Sequence, residues 1–546
     1  MERLNSYKRS FLLKNAKIID GTGNPWFKAD LLIENGKIKE ISRSIISKDV
    51  DEVFDVHGLI VSPGFIDIHT HSDQTIFTSR GENILTQGVT THVVGNCGFS
   101  ITPIDQELEK DEVYDMIKSI LEFGENYKLY RHLNEYLLDL EKKGIPINII
   151  PLIGHSMIRL MVLGVENRAP NQDELKRMKE ILREELKQGA FGMSTGLDYP
   201  PGSFAKTEEI IELCKVVSEF KGIYTTHFRG FASGLIRATK EAIKIARTGI
   251  SVEISHFKPF GFWVGDIRKA CKVVERARED GLDVTFDVFP HASNYTFLFA
   301  MVPPWIYISK DRVDNVNAIE ILKKSRTDDE LKNKILREMA TIASSLMNIK
   351  EDKDWAKVYI DAPRNKEYNG KHVYQISLEK KIDPREAVIE ILIDENGSVN
   401  ATYLSITEED NIITIVHPLS MIASDGFIIP ENSDVFPNPY CNGTFTQVLG
   451  KYVREEKALT LHDAIRKMTS FPAQKLGLKD RGLLKEEYWA DITIFDADKI
   501  IDKATYENPR LYSEGVEYVF VNGVLAYNKG NFTGALSGIP LRKTRL

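Results

Sequence analysis

Between residues 59 and 426 one arrangement recurs eight times: a short apolar run with the look of a β-strand, separated from the next by polar segments with helical spacing. The runs are LIVSPGFIDIH, VTTHVVGNC, IPINIIPLIGH, FGMSTGLDY, GIYTTHFRG, SVEISHFKP, LDVTFDVFPH and VHPLSMIASDG. Strands that are apolar throughout are buried on both faces, and their alternation with amphipathic helices specifies a parallel sheet. Eight units predict an α/β chain folded as a (β/α)8 TIM-like barrel. The helices are clearest over 171–189, where Leu175, Met178, Leu182 and Leu186 recur at helical spacing between an Asn cap and a terminal Gly, and over 266–281.

Both chain ends carry a different pattern. FLLKNAKIIDGTG and ADLLIENGKIKEI alternate apolar with polar residues around Asn35-Gly36, and ADITIFDAD and YVFVNGVLAYN do so around Asn522-Gly523. Asn-Gly between alternating runs is a hairpin signal. The ends are therefore expected to pair as one small β-sandwich domain, residues 11–60 with 481–546, leaving 61–480 for the barrel. A charged, helix-rich insertion of about 305–410 separates the seventh run from the eighth. Following the seventh strand, it is a candidate lid over the face where barrel active sites lie.

Charge narrows the partners. The net charge is -8 and no Lys/Arg block appears, so neither nucleic acid nor a membrane surface is expected. No signal-like apolar segment opens the chain and no run approaches about 18 apolar residues, which gives a cytoplasmic expectation. Four cysteines do not make a disulfide framework. Cys214 and Cys271 lie in helical patterns and read as core residues, and oligomeric state is left open.

The polar residues fall at the ends of the runs. His69 and His71 end the first, Cys97 the second, His155 the third, His227 the fifth, His256 the sixth, His291 the seventh and Asp425 the eighth. Parallel barrels gather their chemistry at the C-terminal ends of their strands, so residues distant in sequence converge. Imidazole, thiolate and carboxylate are zinc ligands, and His69 and His71 share a strand face because they are two residues apart. His57, His92, His132, His372 and His462 have no such context and read as structural or exposed.

Taken in order, PGFIDIHTH, GNCG, IGHS, STGLDYPPG, THFRG, ISHFK and IASDG resemble the D-aminoacylase (N-acyl-D-amino-acid deacylase) branch of the amidohydrolase superfamily. The resemblance runs from about residue 11 to the C-terminus. It implies that Cys97, His227 and His256 hold a tight zinc ion, that His69, His71 and Asp425 hold a second, weaker one, and that Cys97 can bridge them. It also implies that Asp425 is the general base and acid of amide C–N hydrolysis by a zinc-activated water. His155, Tyr199, Lys258, Arg229, His291 and Tyr440 are candidate substrate contacts, and Asp287 and Asp73 candidate supports for the histidines. The fourth run lacks the bridging lysine of hydantoinase-like relatives.

Two departures concern substrate. Where the family commonly carries PHPR, with an arginine for the substrate carboxylate, FPNPYCNGTF places Tyr440; and FPHASNYT replaces a YPY-type seventh-strand pattern. A carboxylate fork is not replaced by a phenol. An N-acyl-D-amino acid, its carboxylate taken by Lys258 or Arg229, is the leading expectation. The alternatives are an amide without a carboxylate, such as an N-substituted formamide or a small peptide-like compound; a deamination; and a non-catalytic scaffold.

Overall fold

The computed structural model describes residues 9–46, 49–104, 128–231, 234–259, 266–309, 312–313, 315–362 and 365–543. Eight parallel strands run in chain order: Phe65–Asp67, Val89–Val94, Asn148–Pro151 continued as Ile153–Gly154, Gly192–Gly196, Ile223–His227, Ser251–Ile254, Val284–Val288 and Ser420–Ile422. Each pairs in parallel with the next. The last returns to the first through a parallel bridge between Thr70 and Gly426, where the Asp425 N–H donates to the His69 carbonyl (3.0 Å) and the His71 N–H to that of Gly426 (2.8 Å). This is barrel connectivity, and the closing seam is made by site residues themselves.

The helices follow their sequence signals. Gln172–Lys187 begins on a reciprocal cap: the Glu174 N–H donates to the Asn171 side chain (2.9 Å) and the Asn171 N–H to the Glu174 carboxylate (2.7 Å). Such a cap contributes about 1 kcal/mol. Met178, Ile181, Leu182 and Leu186 are its buried face. Asp266–Glu279 buries Ile267, Ala270, Cys271, Val274 and Ala277.

Strands from both ends of the chain join one nine-stranded sheet, with Ile60–Pro63 antiparallel to Ile492–Phe495 at the junction. Asn35-Gly36 and Asn522-Gly523 form its hairpin turns, all four residues having positive φ, as a two-residue turn of this hand requires. Phe520 lies three strands away from Phe11, about 14 Å in a flat sheet. Their ring centroids are 5.2 Å apart, so the sheet curls over on itself and the two sandwich faces are halves of one continuous sheet. Between the seventh and eighth barrel strands, described residues from Leu298 to Tyr403 build a separate core, beside a three-stranded antiparallel sheet that begins at Asn294–Phe297 and helices that include Asp329–Met347 and Pro384–Asp394. No helix among the described residues is long and apolar enough to cross a membrane.

Candidate metal centre

Four ligand atoms, one each from His69, Cys97, His256 and Asp425, lie within 4.8 Å of one another at the C-terminal end of the barrel. Cys97 Sγ is 3.3 Å from His69 Nε2, 3.6 Å from His256 Nε2 and 3.8 Å from His227 Nδ1. Asp425 Oδ1 is 3.3 Å from His69 Nε2 and 3.1 Å from His71 Nε2. The structure thus brings together all six residues named as ligands. Sulfur, imidazole nitrogen and carboxylate oxygen around one point are a donor set that fits zinc.

The backbone shows what this convergence costs. Cys97 (φ 53°), His256 (φ 34°) and Asp425 (φ 55°) all adopt the left-handed conformation, uncommon for any residue with a side chain. Strain of this kind persists where the surrounding structure enforces it, and it clusters at functional sites. Glycines allow the approach: a Cβ on Gly98 would stand 2.6 Å from Gly196 N, one on Gly154 2.4 Å from Gly98 O, and one on Gly196 2.4 Å from Cys97 O. The GNCG, IGH and STG motifs, at the ends of the second, third and fourth strands, are therefore packed backbone to backbone.

Electrostatics make the cluster a cation site. Burial would raise the Cys97 thiol, but the charge of His69 and hydrogen bonds from His227, His256 and His69 outweigh it and hold the thiol well below its usual range. Burial opposes ionisation of Asp425 as well, and the His71 hydrogen bond with the charges of His256, His69 and His71 overcomes it. A thiolate and a carboxylate among imidazoles draw a divalent ion, whose binding displaces the imidazole protons.

Asp287 stands behind this group. Its Oδ2 accepts from His69 Nδ1 (3.1 Å) and its Oδ1 from the His256 N–H (2.7 Å), so one buried carboxylate fixes the tautomer of one imidazole and the main chain of another. This gives geometry to the supporting role expected of it. Asp73 is buried beside His71, whose charge lowers the Asp73 carboxyl against the stronger upward push of burial, and its carbonyl accepts from Tyr136.

The expected substrate contacts divide. Lys258 is 1% exposed, donates to the His291 carbonyl (2.7 Å) and lies 3.5 Å from the centroid of the Phe289 ring. Burial drives its pKa well down, and the charges of Asp425, Glu408 and Asp287 offset this only in part. His291 is buried with neither ring nitrogen partnered among the described residues, and is pushed down to about 3 by burial and then by Lys258. Tyr440 is buried against Phe289 (5.1 Å between centroids) and His291 (6.0 Å). These three form one polar and aromatic wall.

Three others already have protein partners. Arg229 donates to Glu241 through Nε and Nη2, and to the carbonyls of Ser203 (2.8 Å) and Ala205 (2.7 Å), which neutralises it within the protein. His155 is buried with Nε2 2.9 Å from Glu209 Oε1, and Glu209 also accepts from Arg159. Tyr199 donates its hydroxyl to the Cys97 carbonyl (2.6 Å), with its ring 4.8 Å from that of His227. Phe231, which sequence reasoning passed over, packs against both His227 (4.8 Å) and His256 (5.3 Å). Its place two residues beyond Arg229 was the available signal.

Comparison with known proteins matches residues 52–226 and 396–527 to the amidohydrolase family. A D-aminoacylase of Alcaligenes xylosoxydans xylosoxydans is 31% identical over 547 aligned residues, covering 100% of both chains. The N-acyl-D-glutamate deacylase of Bordetella bronchiseptica, solved with zinc and a phosphonate inhibitor that mimics the tetrahedral intermediate, superposes with a TM-score of 0.80 at 30% identity, over 98% of this chain and 100% of that one. A D-aminoacylase with a binuclear metal centre, described as activated by one metal and attenuated by a second, gives 0.80 at 28% identity over 97% and 99%.

Proposed function

The chain belongs to the amidohydrolase family, in its D-aminoacylase branch, and from that premise we propose that it is a zinc-dependent hydrolase releasing the free amine from N-acyl-D-amino acids. The observation that carries this is the convergence of Cys97, His69, His71, His227, His256 and Asp425 in a cation-drawing cluster at the barrel's C-terminal face. Cys97, His227 and His256 would hold the tight ion; His69, His71 and Asp425 would hold a weaker second one. Zinc held there would lower the pKa of water and polarise the amide carbonyl.

The remaining work belongs to the protein. Asp425, whose Oδ1 lies 3.3 Å from His69 Nε2 and 3.1 Å from His71 Nε2, takes a proton from the attacking water and delivers it to the amide nitrogen, because an amine leaves poorly unless protonated. Lys258 takes the substrate carboxylate: among the described residues its ammonium has one acceptor at hydrogen-bonding distance, and pairing with an anion offsets its burial. Arg229 does not compete for this role, since its donors serve Glu241 and two carbonyls. His291, held neutral, offers one donor and one acceptor to the same ligand. Tyr440 then shapes the pocket without adding charge.

All four cysteines are free and buried, and a reduced Cys97 is required for ligation, which supports a reducing, cytoplasmic setting. The test is amine release from N-acetyl-D-methionine and its L-enantiomer with zinc-loaded protein, with and without a chelator. D-selective, chelator-sensitive release supports the reading. Equal release from both enantiomers, or none from either, moves the search to amides without a carboxylate.

A further inference from the structure

Beneath the metal centre the barrel interior is divided in character. The first, second, third and eighth strands and their ends fill it with Ile66, Ile68, Val93, Ile150, Met421 and Ala423. On the fifth, sixth and seventh strands the row is polar: Thr225 stands in register with Glu253, and Glu253 with Thr285. Residues in register on neighbouring strands share a face, as do residues two apart on one strand. Thr225 therefore lies directly below His227, and Thr285 directly below Asp287, the carboxylate that holds His69 and the main chain of His256.

All three residues are at most 1% exposed. Each leaves one oxygen without a hydrogen-bond partner among the described residues: Thr225 Oγ1, Glu253 Oε1 and Thr285 Oγ1. Buried polar atoms left unpaired forfeit their full hydration, which is why native structures pair them with protein or ordered water. A buried water commonly makes about three hydrogen bonds to such groups. The other carboxyl oxygen, Glu253 Oε2, accepts weakly from Ser255 at 3.4 Å.

We propose that Thr225, Glu253 and Thr285 form a sealed binding site for a single water molecule, and that Glu253 is a positioning residue which, through Asp287, holds the metal-ligating imidazole of His69 in place. Two carboxyl groups in one dry compartment do not both ionise. Burial first, then the neighbouring charge of Asp287 and a hydrogen bond with its carboxylate, hold the Glu253 carboxyl well above the usual range, so it is the neutral partner and its O–H is donated to Asp287. Glutamine at this position keeps the size, the neutrality and a donor; leucine keeps only the size. The positioning role rests on the metal reading above, whereas the water site does not.

The experiment has two readouts on the full-length protein. A high-resolution crystal structure of the metal-free protein should show one water within hydrogen-bonding distance of the three oxygens; a dry row overturns the site whether or not zinc binds. Zinc affinity by chelator competition should fall about 10- to 100-fold in Glu253→Leu, with the Tm of the metal-free protein unchanged or raised, while Glu253→Gln stays within about threefold of wild type. Wild-type affinity in Glu253→Leu overturns the positioning role, as does a loss in Glu253→Gln equal to that in Glu253→Leu. If Glu253→Leu does not fold, Thr225→Val/Thr285→Val replaces it: weakened zinc binding supports the proposal and unchanged binding overturns it.

Discussion

Replacing Lys258 by methionine should weaken substrate capture and stabilise the protein at once. The side chain is 1% exposed, and among the described residues its ammonium is compensated by one carbonyl, that of His291 at 2.7 Å, and by the face of Phe289 at 3.5 Å. A hydrogen bond to a charged group contributes about 1.5–3 kcal/mol. Losing it from the substrate carboxylate should raise KM about 10- to 150-fold. The carboxylate takes no part in the bond change, so a contact that holds it equally in ground and transition states changes kcat little. Against this, methionine relieves the burial of an ammonium and loses one hydrogen bond and one cation–π contact. The balance resembles exchanges of buried charge for apolar side chains, which are neutral or stabilising by about 1–4 kcal/mol. The assay is steady-state amine release with N-acetyl-D-methionine, set beside thermal unfolding of the same preparation. An unchanged KM with a lowered Tm would refute the reasoning, because it would make Lys258 a structural residue whose carbonyl bond matters more than its charge.

Other consequences follow from the same geometry. Asp425→Asn should lower kcat by about 10²–10⁴-fold while the tightly held zinc remains at one equivalent, as read by metal analysis on the purified variant. Arg229→Met should destabilise the protein by about 1–3 kcal/mol, because two carbonyls lose their donor and Glu241 loses its cation while keeping the Thr207 hydroxyl, with KM within twofold of wild type by the same kinetic assay. The pH dependence of KM has a definite sign. Burial lowers the Lys258 pKa, so the ammonium is present at low pH and is lost as pH rises through a value below the ordinary lysine range. KM should therefore climb with alkalinity in the wild type and stay flat over that interval in Lys258→Met; a parallel rise in both would detach the effect from Lys258.

Much of this site was legible in the sequence because chemistry and fold coincide there. Each of the eight apolar runs is long enough to be a strand, and a histidine, cysteine or aspartate inside such a run has no packing reason to sit at its end. Positional logic therefore put eight polar residues at strand ends without any contact information, and the family resemblance picked six of them as ligand candidates. The Asn-Gly turns were equally plain, because so few residues tolerate two successive positive φ angles. What stayed hidden was neutralisation at a distance. The partners of Arg229 and His155 are Glu241 and Glu209, 12 and 54 residues away on helices, where an acid reads as an ordinary solvated position. Glu253 was hidden differently, as one acid in SVEIS on a strand that otherwise looks buried. Register with Thr225 and Thr285, a property of the closed barrel, is what singles it out. The continuity of the sandwich sheet belongs to the same class, since pairing across some 430 residues leaves no local mark.

The most direct test of the account is anomalous diffraction at the zinc edge from crystals of the zinc-loaded protein. A peak about 2.3 Å from Cys97 Sγ and about 2.0–2.1 Å from nitrogens of His227 and His256, with any second, weaker peak beside His69, His71 and Asp425, is the predicted result. Zinc bound elsewhere, or no ordered ion at this end of the barrel, would contradict it.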